Sequence, residues 1–271
     1  MVEKQFDLSG RVAVVTGGLG VLGGSIAECL ADAGANIALI DLDVHLAEER
    51  IAALEQKGVE AAAFETNVLD GDVLRKSRDE VVDRFGRVDI LINAAGGNIA
   101  RARTDDISVF QLPFDAYDDV VRLNLHGTVY PTLVFGEAIA NQKKGSIVNI
   151  SSMAAMRAMS GVPGYASAKA AVDNFTRWMA VELAREHGEG LRVNAIAPGF
   201  FVTTQNRDVL LNADGSYTER SRQILYHTPM GRFGDPKELQ GPVLWLCSDA
   251  SSFVTGVVIP VDGGFSAYSG L

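Results

Sequence analysis

Seven short apolar runs constrain this 271-residue chain most. They are Arg11–Thr16, Asn36–Ile40, Val59–Phe64, Val88–Asn93, Gly145–Ser151, Leu191–Ala197 and Val257–Val261. Several are unbroken stretches of Val, Ile, Ala and Leu rather than alternating ones, the pattern of parallel strands covered on both faces. Helical patterns separate them: Val44, Ala47, Ile51 and Leu54 repeat at helical spacing, and Gly58 follows as a stop signal. Strand–helix alternation requires right-handed crossovers and predicts a doubly wound α/β sheet with helices on both faces. No Pro/Ser-rich linker, repeat or low-complexity tract divides the chain, so 1–271 reads as one domain. Two stretches, about 96–115 and 199–234, read as loops too long for simple connections, and long ordered loops usually serve function.

The first strand leads through Thr16-Gly-Gly-Leu-Gly-Val-Leu-Gly23 into a helix. Glycines let the backbone approach a pyrophosphate, and the helix N-terminus offers free N–H groups and positive dipole. Gly18, Gly20 and Gly23 satisfy G-x-G-x-x-G, a weak match strengthened by the strand–turn–helix context. Asp41 ends the second strand, where a carboxylate accepts both ribose hydroxyls of NAD and repels the 2′-phosphate of NADP. The alternative for Asp41 is a solvated strand-end acid. No Arg or Lys lies in the turn, which again favours NAD as cofactor.

Tyr165 and Lys169, in Tyr-Ala-Ser-Ala-Lys, are four residues apart, so on a helix they share one face. An ammonium beside a phenol favours the phenolate and lowers its pKa towards working pH, as a general base for an alcohol requires. Ser152 lies thirteen residues upstream, at the end of an apolar run.

Lys plus Arg is 24 and Asp plus Glu is 34, giving a net charge of −10, which argues against nucleic acid as a partner. No apolar run reaches membrane-spanning length, and the N-terminal residues contain no apolar signal core, so a cytoplasmic protein with no membrane partner is expected. Cys29 and Cys247 show no metal or redox spacing and read as buried reduced thiols; no metal site is expected.

Taken jointly, Thr16-Gly17…Gly23, Asn93-Ala-Ala-Gly96, Asn124, Ser152, Tyr165-x-x-x-Lys169 and Pro198-Gly199…Thr203 resemble the short-chain dehydrogenase/reductase family over nearly the whole chain. The resemblance implies a Rossmann-type domain with a seven-stranded parallel sheet, hydride transfer with a nicotinamide, and commonly a homotetramer built on the last strand and the helix near Pro236. It implies that Tyr165 takes the substrate proton and that Ser152 bonds the substrate oxygen. Lys169 would hold the nicotinamide ribose, and Asn124 would position a water leading from Lys169 to solvent, its alternative being a helix cap or kink. For the cofactor it implies Gly17, Leu19, Leu22, Gly23, Asp41, Asn67, Val68, Asn93, Ala94, Gly96, Pro198, Gly199, Phe201 and Thr203, besides Tyr165 and Lys169. Ser151 reads as a strand-end hydroxyl satisfying backbone near the cofactor. Two positions depart from the pattern: Val21 where the family has glycine, leaving open which amides hold the phosphates, and Asn67 where it has aspartate.

Within the family, Asn93-Ala-Ala-Gly-Gly-Asn98, Pro198–Arg207, His227–Gly234 and Pro260–Phe265 are similar to bacterial sugar-acid oxidoreductases of the D-mannonate oxidoreductase (fructuronate reductase) type. A sugar acid needs a cation and several amides or hydroxyls. Asn98, Gln205, Asn206 and Arg207, with Ser152 and Tyr165, are the candidates for this small-molecule substrate. Arg101, Arg103, Arg220 and Arg222 also lie in the loops, where pairing with neighbouring acids is the competing reading. Arg232 and His227 read as loop anchors. Gluconate 5-dehydrogenase-like and NADPH-dependent 3-oxoacyl reductase-like activities are the alternatives, and a catalytically silent dinucleotide sensor is the non-enzyme one.

Overall fold

The computed structural model describes residues 2–45 and 47–270. All seven expected strands form one parallel sheet: β1 (Val12–Thr16), β2 (Asn36–Asp41), β3 (Ala61–Glu65), β4 (Ile90–Asn93), β5 (Gly145–Ile150), β6 (Leu191–Pro198) and β7 (Val258–Val261). Their order is β3-β2-β1-β4-β5-β6-β7. The helices are α1 (Val2–Phe6), α2 (Val21–Asp32), α3 (Ala47–Glu55), α4 (Gly71–Phe85), α5 (Phe114–Val121), α6 (Gly127–Asn141), α7 (Pro163–His187), α8 (Arg207–Leu210), α9 (Glu219–Tyr226) and α10 (Gln240–Cys247).

The unbroken apolar runs now have a physical cause. Along β1, Ala13 and Val15 enter one core with α2, α3 and α10, while Val12 and Val14 enter a second core with α4, α6 and α7. Both sides of the strand are buried, so both residue parities must be apolar. Local signals set the helix ends. Asp70 accepts from the amides of Asp72 (3.0 Å) and Val73 (3.1 Å) at the start of α4, and Gly86 closes that helix with φ 78°.

The strand order reverses direction between β1 and β4, so the connections after these strands part to opposite faces and leave a crevice at their C-terminal ends. The two long loops are ordered rather than structureless. Residues 96–115 contain 3₁₀ turns at Ala100–Ala102 and Val109–Gln111, and 199–234 contain α8 and α9.

Candidate active site

At the mouth of β1 the glycines are not equivalent. Gly17 has φ 63°, and a Cβ there would lie 2.9 Å from the Ala95 amide nitrogen. A Cβ on Gly23 would lie 2.2 Å from the Gly17 carbonyl oxygen. Thr16 was not among the expected contacts, yet its hydroxyl accepts from the amides of Ala94 (3.1 Å) and Ala95 (3.2 Å), locking the turns after β1 and β4 together. Asp41 Oδ2 accepts from the Leu19 amide at 3.0 Å, which holds the carboxylate against the glycine turn instead of in free solvent. The amides of Gly18, Leu19 and Gly20 are thereby engaged by Ile40, Asp41 and Gly17. Those in the first turn of α2, from Val21 to Gly23, are the free donors at its N-terminus. Val21 opens this helix without positive φ, so a β-branched side chain costs nothing there in backbone strain.

These residues fit a dinucleotide: a turn that admits no Cβ at Gly17 or Gly23, open helix amides, and a carboxylate one strand away. Leu22, Ala94, Gly96, Pro198, Gly199, Phe201 and Thr203 line the adjoining cleft of about 270 Å³. Gly199 is required by close approach, since its Cβ would meet Asp262 Cα at 2.6 Å.

Asn98, Ser152, Tyr165, Lys169, Gln205 and Asn206 line the same cleft. Tyr165 stands in the first turn of the 25-residue helix α7, where the helix dipole favours an anion. Its ring packs on Ala102, Ala116 and Val120, so the long 96–115 loop and α5 hold it. The buried Ser152 side chain lines the cleft beside it and favours the ionised phenol. Ser152 Oγ accepts from the Ala154 amide at 3.1 Å. Lys169 is 3 % exposed, donates to the Ile150 carbonyl at 2.7 Å and lies over the Tyr165 ring, 5.6 Å from its centroid.

This geometry corrects the expected pKa argument. Burial pushes the Tyr165 phenol above its ordinary value, and the opposing influence is the Ser152 side chain. The Lys169 ammonium faces the ring and the Ile150 carbonyl, and burial brings its own pKa down to about 8, with Asp173 opposing.

Several expected contacts fall elsewhere. The Asn93 side chain turns inward, donating to Thr132 Oγ1 and Asn149 Oδ1, both at 2.8 Å, in a buried ladder that continues to Thr176. Only its backbone borders the nucleotide side. Asn67 is exposed and caps its own turn by accepting from the Leu69 amide at 2.9 Å, while Val68 is buried in the core. Asn206 spends its amide folding the loop, donating to Phe201 O (2.8 Å) and accepting from Thr203 N (2.7 Å). Arg207 is exposed and outside the cleft lining. Asn124 lies in a π-helical segment, Arg122–His126, between α5 and α6. Its amide donates to Gly97 O (2.6 Å) and Val120 O (2.8 Å) and accepts from Gly97 N (3.0 Å). It clamps the loop after β4, and a Cβ on Gly96 would sit 2.8 Å from its Oδ1 and 3.4 Å from Lys169 Nζ.

The loop arginines pair with acids: Arg101 with Asp115 (2.5 Å), Arg103 and Arg220 with Asp105 (both 2.6 Å), Arg222 with Glu219 (3.5 Å). Arg232 grips Glu238 with two bonds, and His227 Nδ1 lies 2.9 Å from the Gln223 carbonyl of its own helix. Two side chains remain available. Asn98 Oδ1 accepts from the Ile99 amide at 3.0 Å, which fixes the amide orientation and leaves a buried Nδ2 with no partner. Gln205 lies across Gly97, its Nε2 donating to Gly96 O at 3.3 Å, and so bridges the two long loops over the cleft.

A family model described as Enoyl-(Acyl carrier protein) reductase matches residues 20–266. An uncharacterized oxidoreductase, UxuB, of Bacillus subtilis is 42 % identical over 281 residues, covering 100 % of both chains. The 2-dehydro-3-deoxy-D-gluconate 5-dehydrogenase of Escherichia coli is 37 % identical, covering 98 % of this chain and 100 % of its own. A crystal structure from Haemophilus influenzae, provisionally named a D-mannonate oxidoreductase and holding NAD, superposes with a TM-score of 0.93 at 41 % identity, with both chains fully covered.

Proposed function

This chain belongs to the short-chain dehydrogenase/reductase family, and from that premise we propose that it is an NAD-dependent oxidoreductase interconverting a secondary alcohol and a ketone on a sugar acid of the D-mannonate/D-fructuronate kind. The observation that carries the reading is the convergence of Ser152, Tyr165 and Lys169 in one cleft, adjoining a turn shaped for a dinucleotide. NAD, when bound, accepts or returns the hydride.

The chain's own residues do the rest. The Tyr165 oxygen takes the substrate hydroxyl proton in oxidation and returns it in reduction. Ser152 donates to the substrate oxygen where charge develops. Lys169 supplies the positive charge that a buried phenolate needs, and Asn124 fixes the loop against which both are packed. Asp41 supports NAD over NADP because a 2′-phosphate beside its carboxylate would meet like charge.

The cleft lining contains no arginine; its cation is Lys169. A polyhydroxy acid would therefore be met mainly by amide donors, Asn98 Nδ2 first and Gln205 second. A 5-dehydrogenase activity on a related gluconate would call on the same polar groups, and the similarity to the Escherichia coli enzyme keeps it as the second reading. The test is a panel of aldonates, uronates, gluconates and simple ketones followed by NADH absorbance. Preferred turnover of D-mannonate or D-fructuronate supports the proposal, and turnover of simple ketones alone would refute it.

A homotetramer is the assembly we propose. β7 is an edge strand with half-exposed apolar residues, and Phe253 beside it is fully exposed. Light scattering of the purified protein checks this. A cytoplasmic site is proposed because Cys29 and Cys247 are free thiols, as a reducing compartment keeps them. Cell fractionation decides it.

A further inference from the structure

One buried acid has no part in the chemistry above. Tyr165, Lys169, Asp173 and Arg177 recur every fourth residue on α7, which stacks them along one side of the helix. Asp173 is 5 % exposed, and the Ser151 hydroxyl donates a hydrogen bond to its Oδ1. Ser151 follows Ile150, whose carbonyl accepts from Lys169, and precedes Ser152, which lines the cleft with Tyr165. The end of β5 therefore bonds two successive members of the helical row, Lys169 and Asp173, through two consecutive residues.

We propose that Asp173 is a positioning residue for the Tyr165–Lys169 pair: its carboxylate, anchored by the Ser151 hydroxyl, keeps the buried Lys169 ammonium charged. A carboxylate placed here for packing alone would be a poor choice, because an apolar residue of similar volume is generally as good or better in a core. Lys169 has one listener on each side, a phenol one turn before it and an acid one turn after it. Burial draws Lys169 down to about 8, and Asp173 is the charge that opposes this. Asp173 is itself raised by burial and held down by the Ser151 hydrogen bond, then by Arg177 and Lys169 on its own helix. Without the carboxylate, Lys169 would lose its proton within the working pH range, and the phenolate would lose its cation. This assigns Ser151, expected only to satisfy backbone, to the same unit.

The inference rests on the proposed dehydrogenase chemistry, so its test includes a readout that needs no turnover. Asp173→Asn keeps an acceptor for Ser151 and removes only the charge. In protein labelled with [ε-¹³C]lysine, with the Lys169 resonance assigned by Lys169→Gln, the Lys169 midpoint should fall by about one pH unit in Asp173→Asn. The alkaline limb of kcat/KM should move to lower pH in parallel, with NAD affinity little changed. A folded Asp173→Asn protein whose Lys169 midpoint is unmoved overturns the proposal. A moved midpoint in a protein that turns over no alcohol or ketone upholds the electrostatic unit and refutes the dehydrogenase reading instead. If Asp173→Asn does not fold, Asp173→Ser, which also removes the charge, decides: the Lys169 midpoint must fall, and an unchanged midpoint overturns the proposal.

Discussion

Substituting alanine at Gly23 and at Gly20 separates two glycines that a sequence pattern treats alike. A Cβ on Gly23 would stand 2.2 Å from the Gly17 carbonyl oxygen, 1.2 Å inside the 3.4 Å where contact becomes ordinary. The opposing atoms are backbone, and that backbone is fixed by the Gly17 φ of 63° and by Thr16 on the neighbouring turn. The start of α2 must therefore move by about 1 Å. Overpacking of this kind costs about 1–3 kcal/mol, and rigid opposing backbone puts Gly23→Ala at the upper end. About 3 kcal/mol corresponds to a Tm lower by roughly 6–12 °C. The displaced amides are those at the N-terminus of α2, and one lost charge-assisted bond at about 1.5–3 kcal/mol weakens NAD binding tenfold or more. Gly20 has φ −70° and ψ 170°, and a Cβ there would lie 3.2 Å from the same oxygen, so Gly20→Ala should stay within about 0.5 kcal/mol of wild type. Differential scanning fluorimetry and titration calorimetry with NAD measure both effects. Equal losses at the two positions, or none at Gly23, would refute the close-approach account of this turn.

Tyr165→Phe should lower kcat by roughly 10²–10⁴ with NAD affinity retained, measured by steady-state kinetics and calorimetry; undiminished turnover removes Tyr165 as the proton acceptor. Asp41→Ala frees the Leu19 amide and removes the repulsion facing a 2′-phosphate, so the ratio of kcat/KM for NAD over NADP should fall by about tenfold or more. Thr16→Val leaves the amides of Ala94 and Ala95 without their acceptor and should cost about 1–3 kcal/mol in urea unfolding. Arg207→Ala should leave KM for the sugar acid unchanged, because Arg207 lies outside the cleft; a raised KM would bring it back into the site.

The fold was legible because burial on both faces of a parallel sheet writes itself into composition. Each strand needed apolar residues at both parities, and every gap contained a helical repeat, so seven strands could be located within a few residues of their ends. The long loops were legible only as lengths. Their short helices and their arginine pairs depend on contacts between residues far apart in sequence, such as Arg220 with Asp105. No local period announces such a pairing.

The site divides along the same line. Tyr165, Lys169 and Ser152 could be read because helical spacing and a strand end fix where their backbones go. Side-chain direction is a different matter. Asn93 and Asn206 sit where the chain borders the cleft, yet each amide finds nearer partners, one in the ladder under the sheet and one in its own loop. A polar residue at a site's edge goes to whichever partner would otherwise be buried unpaired, and the sequence does not print that competition. The same logic applies to the Lys169 side chain. Its spacing from Tyr165 was visible, but the Ile150 carbonyl, which takes its proton donor at 2.7 Å, was not. The ammonium lies over the phenol ring, 5.6 Å from its centroid, and bonds the Ile150 carbonyl. Burial moves the Tyr165 phenol up and the Lys169 ammonium down, and only the folded neighbourhood fixes those shifts.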